Sequence, residues 1–332
     1  MSGADFAPPV WLRHYHLQSI LPTSRVRRPW VLRHARTLLA SSKPEILDCG
    51  EGVRLAGFHA RQENAGRPAA RRLVLLLHGW EGHAQSLYML ALGSRLFERG
   101  YDVFRLNFRD HGGSHGLNAG LFHSCRIDEV VGAAARLQAL HPQQLIVGGF
   151  SLGGNFALRV AARATAAGIT LERAFAICPV LSPHATLERL EHGWFIYRQY
   201  FITKWRRSLH LKQRSFPDLY DLKDILGLRT LTDMTDQMVR RYSEYPDLNT
   251  YLDGYALTGE TLANLTVPSH VLLAEDDPII PVQDAAGLAR PDCLDLTISR
   301  FGGHCGFLPR FDGESWATEW LVGVLAADGC AL

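Results

Sequence analysis

Short, unbroken apolar runs set the rhythm of this chain. Arg72-Leu73-Val74-Leu75-Leu76-Leu77, the run that ends at Gly149, Arg173–Cys178 and Ser269–Ala274 are each too short for a helix of ordinary length. Runs of that kind predict strands buried on both faces, as in a parallel sheet. Residues 101–107 and 294–299 predict two further strands. Between them lie helical patterns at 84–99, 126–141 (closed by Pro142), 154–167, 282–290 and 313–326. Ahead of them, 45–49 and 53–60 alternate around Gly50-Glu51-Gly52 and predict a β-hairpin. Strand and helix alternation of this sort predicts an α/β fold built on a mostly parallel, doubly wound sheet.

The rhythm breaks twice. Residues 1–44 carry Pro, Arg and Trp without clean periodicity. They are expected to form an arm that packs on the main domain through Trp11, Leu12, Leu17, Ile20 and Leu21. Residues 182–266 hold no convincing parallel strand, only aromatic-rich helical stretches (Trp194, Phe195, Tyr197, Tyr200, Phe201, Trp205) and polar breaks. Structureless loops of that length are rare, so an inserted helical cap is expected, its aromatics forming an acyl pocket. The predicted core is therefore 45–181 plus 267–332.

Composition narrows the partners. With 35 Lys+Arg against 33 Asp+Glu the net charge is +2, which gives no reason to expect nucleic acid. The one basic run, Arg25-Val26-Arg27-Arg28, reads as a solvated face, and peripheral membrane contact stays open. The six cysteines (49, 125, 178, 293, 305, 330) show no paired spacing and suit free thiols in a cytoplasmic protein. No signal pattern and no apolar run of spanning length is read. Oligomeric state is left open.

Chemistry concentrates where the predicted strands end. Gly149-Phe150-Ser151-Leu152-Gly153 fits G-x-S-x-G between strand and helix, a turn tight enough to hold its serine in strained geometry. Ser151 is the expected nucleophile, and the Leu152 N–H at the helix start is one expected oxyanion donor. His78-Gly79-Trp80-Glu81-Gly82 follows the strand at 72–77, and the Trp80 N–H is the expected second donor. His78 reads as structural. A serine hydroxyl needs a base, and the base needs an anion. Asp277 and His304 follow Ser151 in that order, with Asp276 as the rival acid. Asp277 is preferred because it directly precedes Pro278-Ile279-Ile280-Pro281. His111 and His115 lie in a Gly-rich run without a carboxylate or cysteine to complete a ligand set, so no metal is expected. His123 and Asp128 have an H-x-x-x-x-D spacing, which two fixed positions produce by chance.

Taken together, these pieces resemble the YheT-like branch of the α/β-hydrolase superfamily, which also includes the plant embryogenesis-associated EMB8-like proteins. The matching stretches are His16-Leu17-Gln18-Ser19-Ile20-Leu21-Pro22, His78–Gly82, Asn107–Gly112, Gly149–Asn155, Asp276-Asp277-Pro278 and Gly303-His304-Cys305-Gly306-Phe307. Where relatives often read Arg-Gly, this chain has Arg109-Asp110-His111-Gly112. The resemblance implies a carboxylic-ester hydrolase acting on small-molecule or lipid esters, with no cofactor. An acyltransferase that uses the same acyl-enzyme, or a non-catalytic binder on this scaffold, is the alternative.

Overall fold

Leu73 through Leu77 are at most 2% exposed, which fits a strand in the middle of a sheet. The computed structural model describes residues 6–141 and 143–327, so Pro142 and Cys330 lie outside the described residues. Eight strands form one sheet: β1 (Ser42–Asp48), β2 (Arg54–Ala60), β3 (Arg72–Leu77), β4 (Asp102–Leu106), β5 (Gln144–Phe150), β6 (Leu171–Ile177), β7 (Ser269–Ala274) and β8 (Leu294–Ser299). Their order is β1-β2-β4-β3-β5-β6-β7-β8. β1 pairs antiparallel with β2, and β2 with β4; every later pairing is parallel. β5 and β6 sit centrally, and both end at the same edge. This is the α/β-hydrolase fold.

Helices fill in around the sheet. The chain opens with three short ones, α1 (Tyr15–Ile20), α2 (Arg28–His34) and α3 (Arg36–Ser41). The crossovers are α4 (Leu87–Glu98), α5 (Ile127–Leu140) and α6 (Leu152–Arg163). Between β6 and β7 lie α7 (Pro183–His192), α8 (Phe195–Ser215), α9 (Lys223–Gly227), α10 (Leu231–Tyr242) and α11 (Leu248–Asp253), with α12 (Trp316–Ala327) last. The layers follow from apolar faces. Val130, Ala133, Ala134 and Leu137 of α5 pack with Phe156, Ala157 and Val160 of α6 on one side of the sheet. Leu90, Leu96 and Phe97 of α4 pack with Leu321 and Leu325 of α12 on the other.

Three expectations change here. Residues 282–287 form a single 3-10 turn, where a helix over 282–290 was expected; Pro281 before it and Leu288 after it are extended. Of the five residues expected to anchor the arm, Leu12 is fully buried, and the other four are not. Trp11 is 61% exposed, and Leu17 and Ile20 also face outward. Gln18, Val31, Ala35 and Leu38 are buried alongside Leu12. Within the basic run, Arg27 is buried, and its guanidinium donates to the carbonyls of Phe311 and Gly313 at 2.8 and 2.7 Å. Arg25 and Arg28 stay exposed. Among the described residues, no helix is long and apolar enough to cross a membrane.

Candidate active site

β5 ends at Phe150, and α6 begins at Leu152, leaving Ser151 alone at the corner. Its backbone has φ 53° and ψ −121°, a conformation that costs roughly 1–3 kcal/mol for a residue with a side chain. The neighbouring packing imposes it. A Cβ on Gly149 would lie 2.5 Å from the Leu77 carbonyl oxygen, and one on Gly153 2.5 Å from that of His78. Both positions must be glycine for β3 to approach the turn. The Ser151 N–H donates to Ile177 O at 2.9 Å, pinning the corner to β6. α6 starts directly after the serine, two residues earlier than its periodicity suggested. The Leu152 N–H is thus among the first donors of a helix, which have no intrahelical acceptor.

The strands beyond supply two more groups. Ser151 Oγ lies 2.9 Å from His304 Nε2, and His304 Nδ1 lies 2.9 Å from Asp277 Oδ2. The Asp277 carboxyl is about 1% exposed and the His304 ring 13%. Asp277 Oδ1 accepts the N–H groups of Ile279 and Ile280 at 2.8 and 3.0 Å, which fixes the carboxylate's orientation. Burial works against a charged imidazole, but the Asp277 carboxylate and the Cys305 sulfur together outweigh it, and the His304 pKa is held well above its ordinary value. Asp276 points elsewhere: its Oδ1 accepts the Gly303 N–H at 2.8 Å. Burial raises its pKa to about 6.

Trp80, Leu152, Ser151 and His304 all line one cleft of about 990 Å³, its open mouth included. Phe201 and Trp205 of α8 and Met238 of α10 form part of its apolar wall. The Trp80 ring stacks on Phe201 at 5.0 Å between centroids and meets Trp205 edge-on. Phe195, grouped with these aromatics in the sequence, is 61% exposed and does not reach the cleft. Glu81 follows Trp80 with φ 55°. Burial raises its carboxyl to about 8, with the Lys204 charge opposing. Its carbonyl accepts Lys204 Nζ at 2.9 Å, tying the Trp80 turn to α8.

The histidines that suggested a metal have other partners. His111 Nδ1 bonds with the Arg109 carbonyl at 2.7 Å, and its Nε2 accepts the Glu81 N–H at 3.3 Å. His115 Nε2 pairs with Ser208 Oγ at 3.0 Å. His78 Nε2 accepts the Phe108 N–H at 3.2 Å from a fully buried ring, a structural position. His123 is buried in the cleft wall, whereas Asp128 is exposed in the first turn of α5. The departure at Arg109-Asp110 is an anchor. Arg109 makes a buried fork onto Glu129, and Asp110 Oδ1 takes the Nζ of fully buried Lys212 at 2.8 Å. That ion pair holds α8 to the sheet edge.

The sequence reading gave no positioning role to Ser19, Gln18 or Asn155. Ser19 Oγ accepts the His304 N–H at 2.8 Å. The buried Gln18 side chain donates to Leu308 O at 3.0 Å and accepts from Leu308 N at 2.7 Å. The arm thus grips both flanks of the His304 loop. Asp276 holds the same loop from the strand side. On α6, the Asn155 Nδ2 donates to Val180 O and Tyr255 O at 2.9 and 2.7 Å. The signals were present, since Gln18, Ser19 and Asn155 stand in the stretches that carry the family resemblance. Which partners these side chains meet is set by tertiary packing alone.

Residues 72–309 match the family model described as the alpha/beta hydrolase fold, and the chain belongs to that family. An abhydrolase domain-containing protein of Dictyostelium discoideum is 23% identical over 336 residues, covering 98% of this chain and 82% of the relative. Among solved structures, an esterase of Pyrococcus furiosus superposes with a TM-score of 0.57 at 16% identity, covering 87% of this chain and 91% of that one. A serine hydrolase of Cycloclasticus zankles gives 0.56 at 19% identity, covering 86% and 99%. At such identities the structural likeness speaks for the fold.

Proposed function

We propose that the protein is a serine hydrolase of carboxylic esters, of the YheT-like branch, which works through an acyl-enzyme on Ser151. The observation that carries this reading is the unbroken hydrogen-bonded line from Asp277 through His304 to Ser151 inside an apolar cleft. His304 takes the Ser151 proton as Oγ attacks the ester carbonyl. Asp277 holds the ring's tautomer and stabilises the imidazolium that forms. The Leu152 and Trp80 N–H groups receive the oxyanion. The alcohol leaves with the proton from His304, and water repeats the sequence to release the acid. Residues 182–266 act as a cap: Phe201, Trp205 and Met238 belong to that segment and line the cleft beside Ser151. Their apolar surface favours an acyl chain and excludes water from the reacting carbonyl. No step requires a cofactor.

The test is a fluorophosphonate probe with an ester panel from acetyl to long acyl chains. The wild type is labelled and active, and Ser151→Ala is neither. Equal labelling of the two proteins refutes the assignment.

A further inference from the structure

Among the described residues, two donor clusters could take a metal ion. Glu45, His59 and His141 offer one ligand atom each within 4.8 Å of one another. Arg61 Nε, however, stands 3.4 Å from His59 Nδ1, where its charge repels a cation. The second cluster is Cys178, His304 and Cys305, also within 4.8 Å; its hydrogen-bond partners are Asp277, Ser151, Ser19 and backbone groups, none of them cationic. We propose that Cys178, His304 and Cys305 form an inhibitory site for a soft divalent cation of the zinc type.

The argument starts from backbone. Cys178 follows β6 with φ 44°, and Cys305 follows His304 with φ 63°. Neither is glycine, so both left-handed conformations are held at a cost that the surrounding packing must offset. Together they turn two sulfurs toward one point, although 126 residues (179 to 304) lie between them in the chain. The sulfurs lie beside each other and Cys305 beside the His304 ring, and their remaining contacts are long. Cys178 Sγ accepts the Cys305 N–H at 3.4 Å and faces Gly303 O at 3.8 Å. Cys305 Sγ faces Ile177 O at 3.5 Å. A cation would displace two thiol protons and replace these long contacts with bonds.

The dimensions suit zinc. Three donors at mutual separations of 4.8 Å or less leave a central point about 2.8 Å or less from each, against roughly 2.3 Å for Zn–S and 2.0–2.1 Å for Zn–N. Inward shifts of well under 1 Å would close the set, a small movement for side chains. Two thiolates and an imidazole prefer zinc over hard cations such as calcium or magnesium. With the cation on Nε2, the Asp277 carboxylate on Nδ1 would be the outer partner that ligating histidines commonly have.

Inhibition follows from the shared residue and rests on the function proposed above. Whichever ring nitrogen the cation takes, one bond of the line from Asp277 through His304 to Ser151 is lost. The base then cannot receive the serine proton, and the hydrolase is off until the metal leaves.

The experiment uses the reduced full chain titrated with Co2+ and then Zn2+. The wild type should bind one Co2+ with a near-ultraviolet thiolate-to-cobalt band that Zn2+ abolishes. Cys178→Ala and Cys305→Ser should lack the band while keeping the wild-type circular dichroism. In parallel, Zn2+ should slow ester hydrolysis and fluorophosphonate labelling, a chelator should restore both, and Cys305→Ser should need at least tenfold more Zn2+. Absence of the band in the wild type, or its survival in Cys305→Ser, overturns the site. Equal zinc sensitivity of wild type and Cys305→Ser overturns the inhibitory role. Should the chain hydrolyse no ester, the cobalt band still decides the site, so failure of the metal site and failure of the hydrolase reading remain distinct.

Discussion

Ser19 offers a direct test of whether the N-terminal arm serves catalysis. Its hydroxyl accepts the His304 N–H at 2.8 Å and donates to Tyr15 O at 2.7 Å. Ser19→Ala removes both bonds and leaves the His304 N–H without its acceptor. Stranding a partly buried donor costs about 1–3 kcal/mol. The fold can absorb that cost by letting the His304 loop drift from Ser151, which depopulates the aligned state. Every 1.36 kcal/mol of such misalignment is tenfold in rate, so kcat should fall about 5- to 150-fold. KM should change little, because Ser19 does not line the cleft. Ser19→Thr keeps the hydroxyl and should recover most of the loss. The assay is steady-state hydrolysis of a short nitrophenyl ester, run well below the melting temperature of each variant. Wild-type kcat in Ser19→Ala would refute the positioning argument. So would a fall in kcat that Ser19→Thr shares in full.

Two further outcomes follow from the same geometry. Asp277→Asn should lower kcat by several orders of magnitude, since groups acting as a unit fail together, while Asp276→Asn should cost far less; kinetics that reverse this ranking reassign the acid. Glu81 has a folded pKa of about 8 against an ordinary 4.5, so the folded state holds its proton more tightly than the unfolded chain. Its stabilising contribution is full below 4.5 and is lost as pH rises to about 8. Urea titrations should show the wild type losing stability across that window relative to Glu81→Gln, and parallel pH curves would contradict the shift.

What the sequence made legible was whatever depends on local pattern. Buried parallel strands announce themselves as apolar runs, so β3, β6 and β7 fall close to their expected places. The elbow glycines are legible because sterics leave no other residue at Gly149 and Gly153. The N-terminal arm was misread for a physical reason. Its contact with the His304 loop runs through backbone, where Gly303 and Gly306 meet the main chain of Tyr15 and Gln18. A contact of that kind leaves no hydrophobic period, so Trp11 and Leu17 looked like anchors while the polar Gln18 did the work. Arg27 was misread likewise: a buried guanidinium satisfied by two carbonyls cannot be told from a solvated one by composition. The cysteines are the extreme case, since only the return of the chain after β8 brings Cys305 to Cys178.

The region between β6 and β7 shows the same limit and yields a sharper prediction. Aromatic density pointed to Phe195 and Phe201 alike, because helical period alone does not say which face meets the cleft. Phe201 lines it, whereas Phe195, six residues earlier and about 120° around the helix, stays in solvent. Met238, which is 8% exposed and also lines the cleft, is the cleaner probe, since Phe201 carries the stack on Trp80. Each methylene buried contributes about 0.8 kcal/mol, so kcat/KM should rise by up to about fourfold per acyl carbon until the cleft is full. Met238→Ala removes about three side-chain heavy atoms from the wall and should move the optimum two to three carbons longer if the cavity persists. Phe195→Ala should leave the whole profile where it was. Chain-length profiles that stay flat in the wild type, or that shift with Phe195→Ala and not with Met238→Ala, would mean that these side chains hold the helices together and leave the acyl chain to another surface.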